Sequence, residues 1–434
     1  MDMEAKAVVN SNNISGLIER TLNYVDPRLV DHGKRVASLV YGMLEAQKKY
    51  SAKDMQDICI LAMLHDIGAY KTEEINRMTQ FESEDIWEHS IYGYLFLANL
   101  SPLKEWARAV MFHHVAAVHL PDSLEEPIRE AAQMISLADR IDIYLQENTD
   151  PPNLFVSLEK VRDTKFDSHI LDLFYEAERQ FSLLACLEEE KDFHKILPNV
   201  QLSGKECEEY LRMMIFAIDF RSQHTVTHTI TTTRISCCAA SHMGLSDAQI
   251  HNIFYGALLH DLGKIGIPVE ILEYPGKLSS QAMAVMRTHV DLTEKILGGT
   301  IDEEITKIAL RHHEKLDGSG YPRGLTRDAL TIEERIVAVS DIVSALLGTR
   351  SYKEAFSKEK TLSILEEQAG EGKIDSDVVA ALKANFDTVL EEVEDSCRPI
   401  LDTYYGLRKE YQYLLGKYLY SSTEAADPAD RSHK

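Results

Sequence analysis

Along most of this chain apolar residues recur at three- and four-residue intervals rather than at every second position, a pattern that predicts helices and not strands. Ile250, Ile253, Phe254, Ala257 and Leu258 fall at i, i+3, i+4, i+7 and i+8, and Met55, Ile58, Cys59, Ala62 and Met63 repeat those offsets. Each set makes one apolar face. In each, a His-Asp pair begins ten residues after the first apolar position: His65-Asp66 and His260-Asp261. A second pattern also occurs twice. Trp106, Ala109 and Val110 lead into His113-His114, and Ile305, Ile308 and Ala309 lead into His312-His313. The first histidine of each pair continues the apolar face, so it points inward, where an imidazole without a partner is costly.

Taken end to end, His32, His65-Asp66, His89, His113-His114 and Asp139 are matched by His228, His260-Asp261, His289, His312-His313 and Asp341. Successive steps are 33, 23, 24 and 25 residues in the first series and 32, 28, 23 and 28 in the second. A period this long marks a duplicated domain rather than a solenoid repeat. The expectation is an all-α chain with two tandem helical domains, at 15–150 and 205–400. A helical linker spans 151–204, with Pro151-Pro152 at its start and Pro198 near its end. A Tyr-rich helix at 401–420 serves packing or a homodimer, and the polar tail 421–434 is disordered.

The chain has 434 residues, 44% of them hydrophobic, enough for two cores. Its formal net charge of −24 would repel long nucleic acid and anionic membrane surfaces. No stretch approaches the roughly 18 uninterrupted apolar residues of a membrane span. The opening MDMEAKAVVNSNN lacks the basic-then-apolar form of a signal peptide. Six scattered cysteines without a CxxC pair read as free thiols in a reducing cytoplasm. A small anionic substrate remains compatible with this charge only where metals or a few Lys and Arg make a local positive site.

Imidazole and carboxylate together suit Fe, Mn or Zn. Each series offers five His and two Asp, too many for one four-coordinate zinc. Two divalent ions a few Å apart neutralise a phosphate and sharply lower the pKa of a bound water, which is the chemistry of phosphoester hydrolysis.

His228, His260-Asp261, Lys264, His289, the run HHEKLDGSGYPRGL at 312–325 and Asp341 resemble the HD-GYP branch of the HD metal-dependent phosphohydrolases, over about 205–395. HDxGK and HHExxDGSGYP are specific in combination, whereas a bare His-Asp dipeptide carries almost nothing. The resemblance implies an all-helical domain with two divalent ions, most often Fe or Mn, and in some members a third. It implies hydrolysis of a cyclic dinucleotide, cyclic di-GMP or 3',3'-cGAMP, to linear pGpG or pApG in second-messenger signalling. The implied metal ligands are His228, His260, Asp261, His289, His312, His313 and Asp341, with Asp261 bridging. His260, Asp261 and Lys264 are the implied catalytic residues, Lys264 reaching a phosphate oxygen. Arg350 and Lys353, in RSYK, match substrate-contacting positions. Gly318, Gly320, Tyr321 and Pro322 shape a loop over the site.

Two positions depart from the family pattern. His224, four residues before His228, stands where three-metal members carry Glu. It is either a candidate ligand for a third ion or a polar replacement that leaves two. Ser344 stands where an Asp commonly follows the last metal Asp by three residues, which puts a substrate contact or proton donor in doubt.

The first series keeps the implied cage, His32, His65, Asp66, His89, His113, His114 and Asp139, and with it the expectation of a second metal pair. It has Ala69 in place of the lysine, and HHVAAVHLPD lacks the Glu and the whole GYP loop. No RSYK follows Asp139. The first domain is therefore expected to regulate, or to act on a different nucleotide or alarmone. A cyclic-dinucleotide receptor or scaffold with little turnover is the non-enzymatic alternative for the whole chain.

Overall fold

A computed structural model describes residues 11–24, 31–69, 87–147, 151–188, 202–219, 227–274, 276–348 and 356–424. Among these residues there is no strand, only the isolated bridges Arg162↔Phe166 and Asp317↔Thr326, and the all-α expectation holds. The helices are α1 Ser11–Asn23, α2 His32–Gln47, α3 Ala52–Met63, α4 Trp87–Leu100, α5 Ala107–Phe112, α6 Glu126–Glu147, α7 Pro151–Glu159, α8 Ser168–Phe181, α9 Leu183–Glu188 and α10 Gly204–Asp219. They continue with α11 His228–His242, α12 Asp247–Leu259, α13 Val269–Leu272, α14 Ser280–Arg287, α15 His289–Leu297, α16 Glu303–Leu310, α17 Ile332–Leu347, α18 Lys358–Gly370, α19 Ser376–Ala384 and α20 Phe386–Glu424. No described helix is long and apolar enough to cross a membrane.

The helices group into two compact units that are interleaved in sequence. Residues 26–202 group with 406 onward, and residues 203–405 group with the N-terminal segment that holds α1. In the N-terminal unit, α2, α3 and α6 bury Val36, Leu39, Val40, Met43, Ile58, Leu61, Met134, Ile135 and Ile141. The helix α3 starts where Ser51 accepts a hydrogen bond from the Asp54 amide, a sequence-encoded N-cap. The segment expected as a linker is packed into this unit. Ile170, Leu171 and Phe174 of α8 are fully buried, and the Ala117 amide donates to the Lys165 carbonyl at 2.9 Å.

In the other unit, Ile235 of α11, Ile253 and Ala257 of α12, Ile336 and Val339 of α17, Val378 of α19 and Phe386 of α20 form one apolar core. Capping boxes start both central helices: Ser246 with Gln249 for α12, and Thr331 with Glu334 for α17. The sequence expectation counted residues from 15 with the first domain, whereas α1 packs on the second. Ile14, Leu17 and Ile18 are buried there, and Arg20 donates to the carbonyls of Ile296 at 2.6 Å and Leu297 at 3.4 Å, satisfying the end of α15.

The Tyr-rich segment is part of one 39-residue helix that begins at Phe386 and contains Pro399. Its later residues belong to the N-terminal unit, where Tyr418 stacks on Trp87 at 4.6 Å and Tyr411 meets Tyr92 edge-on at 6.2 Å. The remainder of the expected tail, 425–434, lies outside the described residues.

Candidate metal centres

The seven C-terminal residues that the sequence singled out come together. His228 opens α11, His260-Asp261 follow α12, His289 opens α15, His312-His313 follow α16, and Asp341 sits mid-way along α17. Asp261 is central. Its Oδ2 lies 3.4 Å from His228 Nε2 and 3.0 Å from His260 Nε2, while its Oδ1 faces His289 Nε2 at 3.6 Å and His312 Nε2 at 4.0 Å. Asp341 lies 3.1 Å from His228 Nε2 through Oδ1 and 3.6 Å from His313 Nδ1 through Oδ2. Two ligand groups result, His228/His260/Asp261 and His289/His312/His313, each with its donor atoms within 4.8 Å of one another. One Asp261 oxygen faces each group, the arrangement that a bridging carboxylate requires.

Backbone carbonyls fix the imidazoles. Nδ1 of His260, His289 and His312 each lies within 2.7 Å of the carbonyl three residues earlier, those of Ala257, Met286 and Ala309. With Nδ1–H donating there, Nε2 carries its lone pair into the cage. Burial and neighbouring imidazoles hold His312 well below its usual range and His313 at about 3, so both stay neutral and able to ligate. Burial opposes charge on His228, but the Asp261 and Asp341 carboxylates raise its pKa to about 9. Two buried carboxylates thus draw a proton onto the imidazole between them. His260 Nε2 and Asp261 Oδ1 are buried without a hydrogen-bond partner. A cage that needs positive charge and leaves inward-facing donors unpaired fits divalent ions.

The turn after the ligand pair explains HDxG in physical terms. A Cβ on Gly263 would stand 2.0 Å from the His289 carbonyl, so only glycine lets the turn lie against α15. The Gly263 amide donates to Thr293 Oγ1 at 2.8 Å. Lys264 Nζ donates to Asp261 Oδ2 at 2.5 Å, so the lysine expected to meet phosphate rests on the central carboxylate of the cage.

The GYP loop is held by a residue that sequence reasoning left without a role. Glu314 is buried and accepts from the amides of Arg323 and Leu325, both at 2.8 Å. Gly320 passes so near that a Cβ would lie 2.4 Å from the Lys315 amide nitrogen. Tyr321 is thereby laid beside His313, ring centroids 4.6 Å apart, with the Arg287 guanidinium over its ring at 4.7 Å from the centroid. Pro322 follows Tyr321 through a cis bond, and Gly318 adopts φ +81°. His224, Arg350 and Lys353 lie outside the described residues. Ser344, the position where the family commonly has Asp, packs against the cage. Its Oγ sits 3.0 Å from His228 Nδ1, behind a cage ligand.

The first series forms the same cage. His65 Nε2 lies 3.3 Å and His32 Nε2 3.7 Å from Asp66 Oδ2, His113 Nε2 lies 3.9 Å from Asp66 Oδ1, and Asp139 faces His32 at 3.4 Å and His114 at 3.9 Å. His89 completes the group Asp66/His89/His113/His114. The Nε2 atoms of His32, His65 and His113, and one oxygen each of Asp66 and Asp139, are buried and unpaired. A Cβ on Gly68 would stand 2.1 Å from the His89 carbonyl, repeating the Gly263 contact. One partner differs: Asp142 Oδ2 meets His32 Nδ1 at 2.7 Å and is itself held by Arg35 at 2.6 and 3.1 Å. Burial opposes charge on His32, and Asp139 and Asp142 raise its pKa to about 10.

Two family models of the HD domain match, one over residues 29–144 and the other over 212–378. The chain belongs to the HD family. Each match covers one cage, and the second HD domain bears the GYP loop. Across 402 residues the chain is 27% identical to the 3'3'-cGAMP-specific phosphodiesterase 1 of Vibrio cholerae, covering 87% of this chain and 92% of that protein. It is 34% identical over 249 residues to the cyclic di-GMP phosphodiesterase response regulator RpfG of Xanthomonas campestris, covering 57% of this chain and 61% of the relative. A crystal structure of a cyclic GMP-AMP specific phosphodiesterase of V. cholerae, V-cGAP3, shares the fold. Its TM-score is 0.57 at 19% identity, over 87% of this chain and 98% of that one.

Proposed function

We propose that the C-terminal HD domain is a metal-dependent phosphodiesterase that opens a 3'–5' cyclic dinucleotide, 3',3'-cGAMP or cyclic di-GMP. Water adds at one phosphorus, the P–O3' bond breaks and the 3' oxygen leaves with a proton, giving linear pApG or pGpG. The observation that carries this reading is the joint presence of the bridging Asp261 cage and the Glu314-held GYP loop beside it. The relatives' named activities support the substrate class. Two divalent ions, Fe or Mn, held by His228, His260, Asp261, His289, His312, His313 and Asp341, would supply charge neutralisation of the phosphate and an acidified water. This chain's own residues do the rest. Asp261 and Asp341 set the negative charge that holds the ions, Lys264 offers its ammonium to a phosphate oxygen, and Tyr321 presents a ring beside the cage. Arg350 and Lys353 are proposed phosphate contacts, and His224 is either a ligand for a third ion or a polar replacement that leaves two. The free thiols fit a cytoplasmic setting.

The test is turnover of each cyclic dinucleotide by anaerobically purified protein supplied with Mn(II) or Fe(II), with products resolved by chromatography. Linear product that disappears in His260→Ala/Asp261→Ala is expected. No product from either substrate at full metal occupancy would refute the assignment.

The complete N-terminal cage favours a second reading for that domain: a metal pair without phosphodiester-gripping residues, serving regulation or a different nucleotide. If it is separately active, His65→Ala/Asp66→Ala abolishes that activity and spares cyclic dinucleotide turnover.

A further inference from the structure

The two cages are built alike but partnered differently, and both differences act on metal affinity. At equivalent positions, three residues after the last cage Asp, stand Asp142 and Ser344. Each touches Nδ1 of the first cage histidine, Asp142 on His32 at 2.7 Å and Ser344 on His228 at 3.0 Å. A carboxylate behind an imidazole makes its far nitrogen a stronger donor than a neutral hydroxyl does. Arg35 holds Asp142 in place and damps its charge without removing it. The second difference concerns the bridging carboxylate. Lys264 puts an ammonium 2.5 Å from Asp261 Oδ2, where it competes with any cation, while the equivalent position beside Asp66 is Ala69, which carries no ammonium. Among the described residues, Arg140 stands 3.9 Å from Asp139, the cage carboxylate equivalent to Asp341 rather than to Asp261.

We infer that the N-terminal cage is the tighter metal site, loaded at free metal concentrations that leave the C-terminal, GYP-bearing cage largely empty, with Asp142 and Ser344 as the positioning residues that set the difference. This rests on the metal-binding reading above. It gives the first domain a stably filled centre, and it makes loading of the second respond to the supply of divalent metal.

The experiment reads metal content, not turnover. Full-length His260→Ala/Asp261→Ala reports the N-terminal cage, and full-length His65→Ala/Asp66→Ala reports the C-terminal one. Each is equilibrated anaerobically in Mn(II) buffers of fixed free concentration and counted by elemental mass spectrometry. The N-terminal cage is expected to half-fill at least tenfold below the C-terminal cage. Asp142→Ser in the first background should weaken it about tenfold, and Ser344→Asp in the second should tighten it by a similar factor, within the span such partners command. Ser344→Asp is a gain, so it decides the matter even if Asp142→Ser fails to fold. Equal filling, reversed order, or no shift with Ser344→Asp overturns the inference. Failure of both cages to bind Mn(II) at any concentration instead defeats the metal-binding reading beneath it.

Discussion

At the scale of single residues, the cage ligands are only part of what the site needs. Glu314 is the clearest case. Two backbone amides of the GYP loop end on its buried carboxylate, and each such charge-assisted bond contributes about 1.5–3 kcal/mol. Glu314→Ala should leave metal content unchanged and lower turnover at least tenfold, because Tyr321 loses its fixed place beside His313. Unchanged turnover in the metal-loaded variant would show that the loop holds its shape by other means. Glu130 illustrates a charge that acts on stability. Burial works against its ionisation, but hydrogen bonds from Lys49 and Tyr50 hold its pKa below the usual carboxylate range. A depressed folded-state pKa means that stability is present above the unfolded value of about 4.3 and is lost as pH falls through the folded value. Glu130→Gln should therefore flatten part of the fall in melting temperature as pH drops below that unfolded value. Parallel curves for the two proteins would remove Glu130 from that account.

At the scale of elements, the ligand-bearing helices were legible because their apolar faces and their histidines share one periodicity. The stretch 151–181 was not. Its key signal is short: Lys165-Phe166-Asp167-Ser168 repeats as Lys373-Ile374-Asp375-Ser376, each ahead of a helix, α8 and α19. Ala117 donates to the Lys165 carbonyl, and Leu316 donates to the Lys373 carbonyl, both at 2.9 Å. The donors stand three residues after His114 and His313, so the duplication continues past Asp139 and Asp341 into these helices. Backbone hydrogen bonds leave no side-chain pattern, and the step from the cage Asp to the lysine is 26 residues in one copy and 32 in the other. The role of Ser344 was hidden for a similar reason, since spacing gives a position along α17 but not which atom a side chain meets. The HDxG turn yields a prediction at this scale. Gly263→Ala drives a Cβ into the His289 carbonyl and should displace Asp261, costing several kcal/mol and the C-terminal metal; Gly68→Ala should do the same to the N-terminal cage. Gly406→Ala meets nothing within 4 Å in mid-helix and should stabilise by about 0.5–1 kcal/mol. Chemical denaturation with metal counting checks all three, and a Gly263→Ala protein that keeps its metal would refute the steric account.

At the scale of the whole molecule, the two compact units cannot be separated by one cut, because each keeps a helix from the far end of the chain. The C-terminal unit uses α1, whose Ile14, Leu17 and Ile18 are buried and whose Arg20 caps α15. Burial of three such side chains is worth about 5 kcal/mol. The N-terminal unit uses the end of α20, where Tyr418 stacks on Trp87 and meets Phe112 edge-on at 6.0 Å. Linear sequence order gave no sign of this exchange, since α1 and α20 read as ordinary amphipathic helices beside their sequence neighbours. The chain supplies its own reporter for it. Both tryptophans, Trp87 and Trp106, belong to the N-terminal unit, so tryptophan fluorescence follows that unit alone while helical circular dichroism follows both. Removing residues 1–25 should lower the midpoint of a dichroism transition that fluorescence does not see. Ending the chain at 405 should do the reverse, lowering the fluorescence transition and shifting the Trp87 emission as its tyrosine neighbour is lost. Loss of α1 should also depress C-terminal metal binding, because α1 packs against the Leu262–Gly266 turn that carries Lys264. If both truncations shift the two signals together, the units unfold as one body and the exchange of helices has no separate energetic consequence.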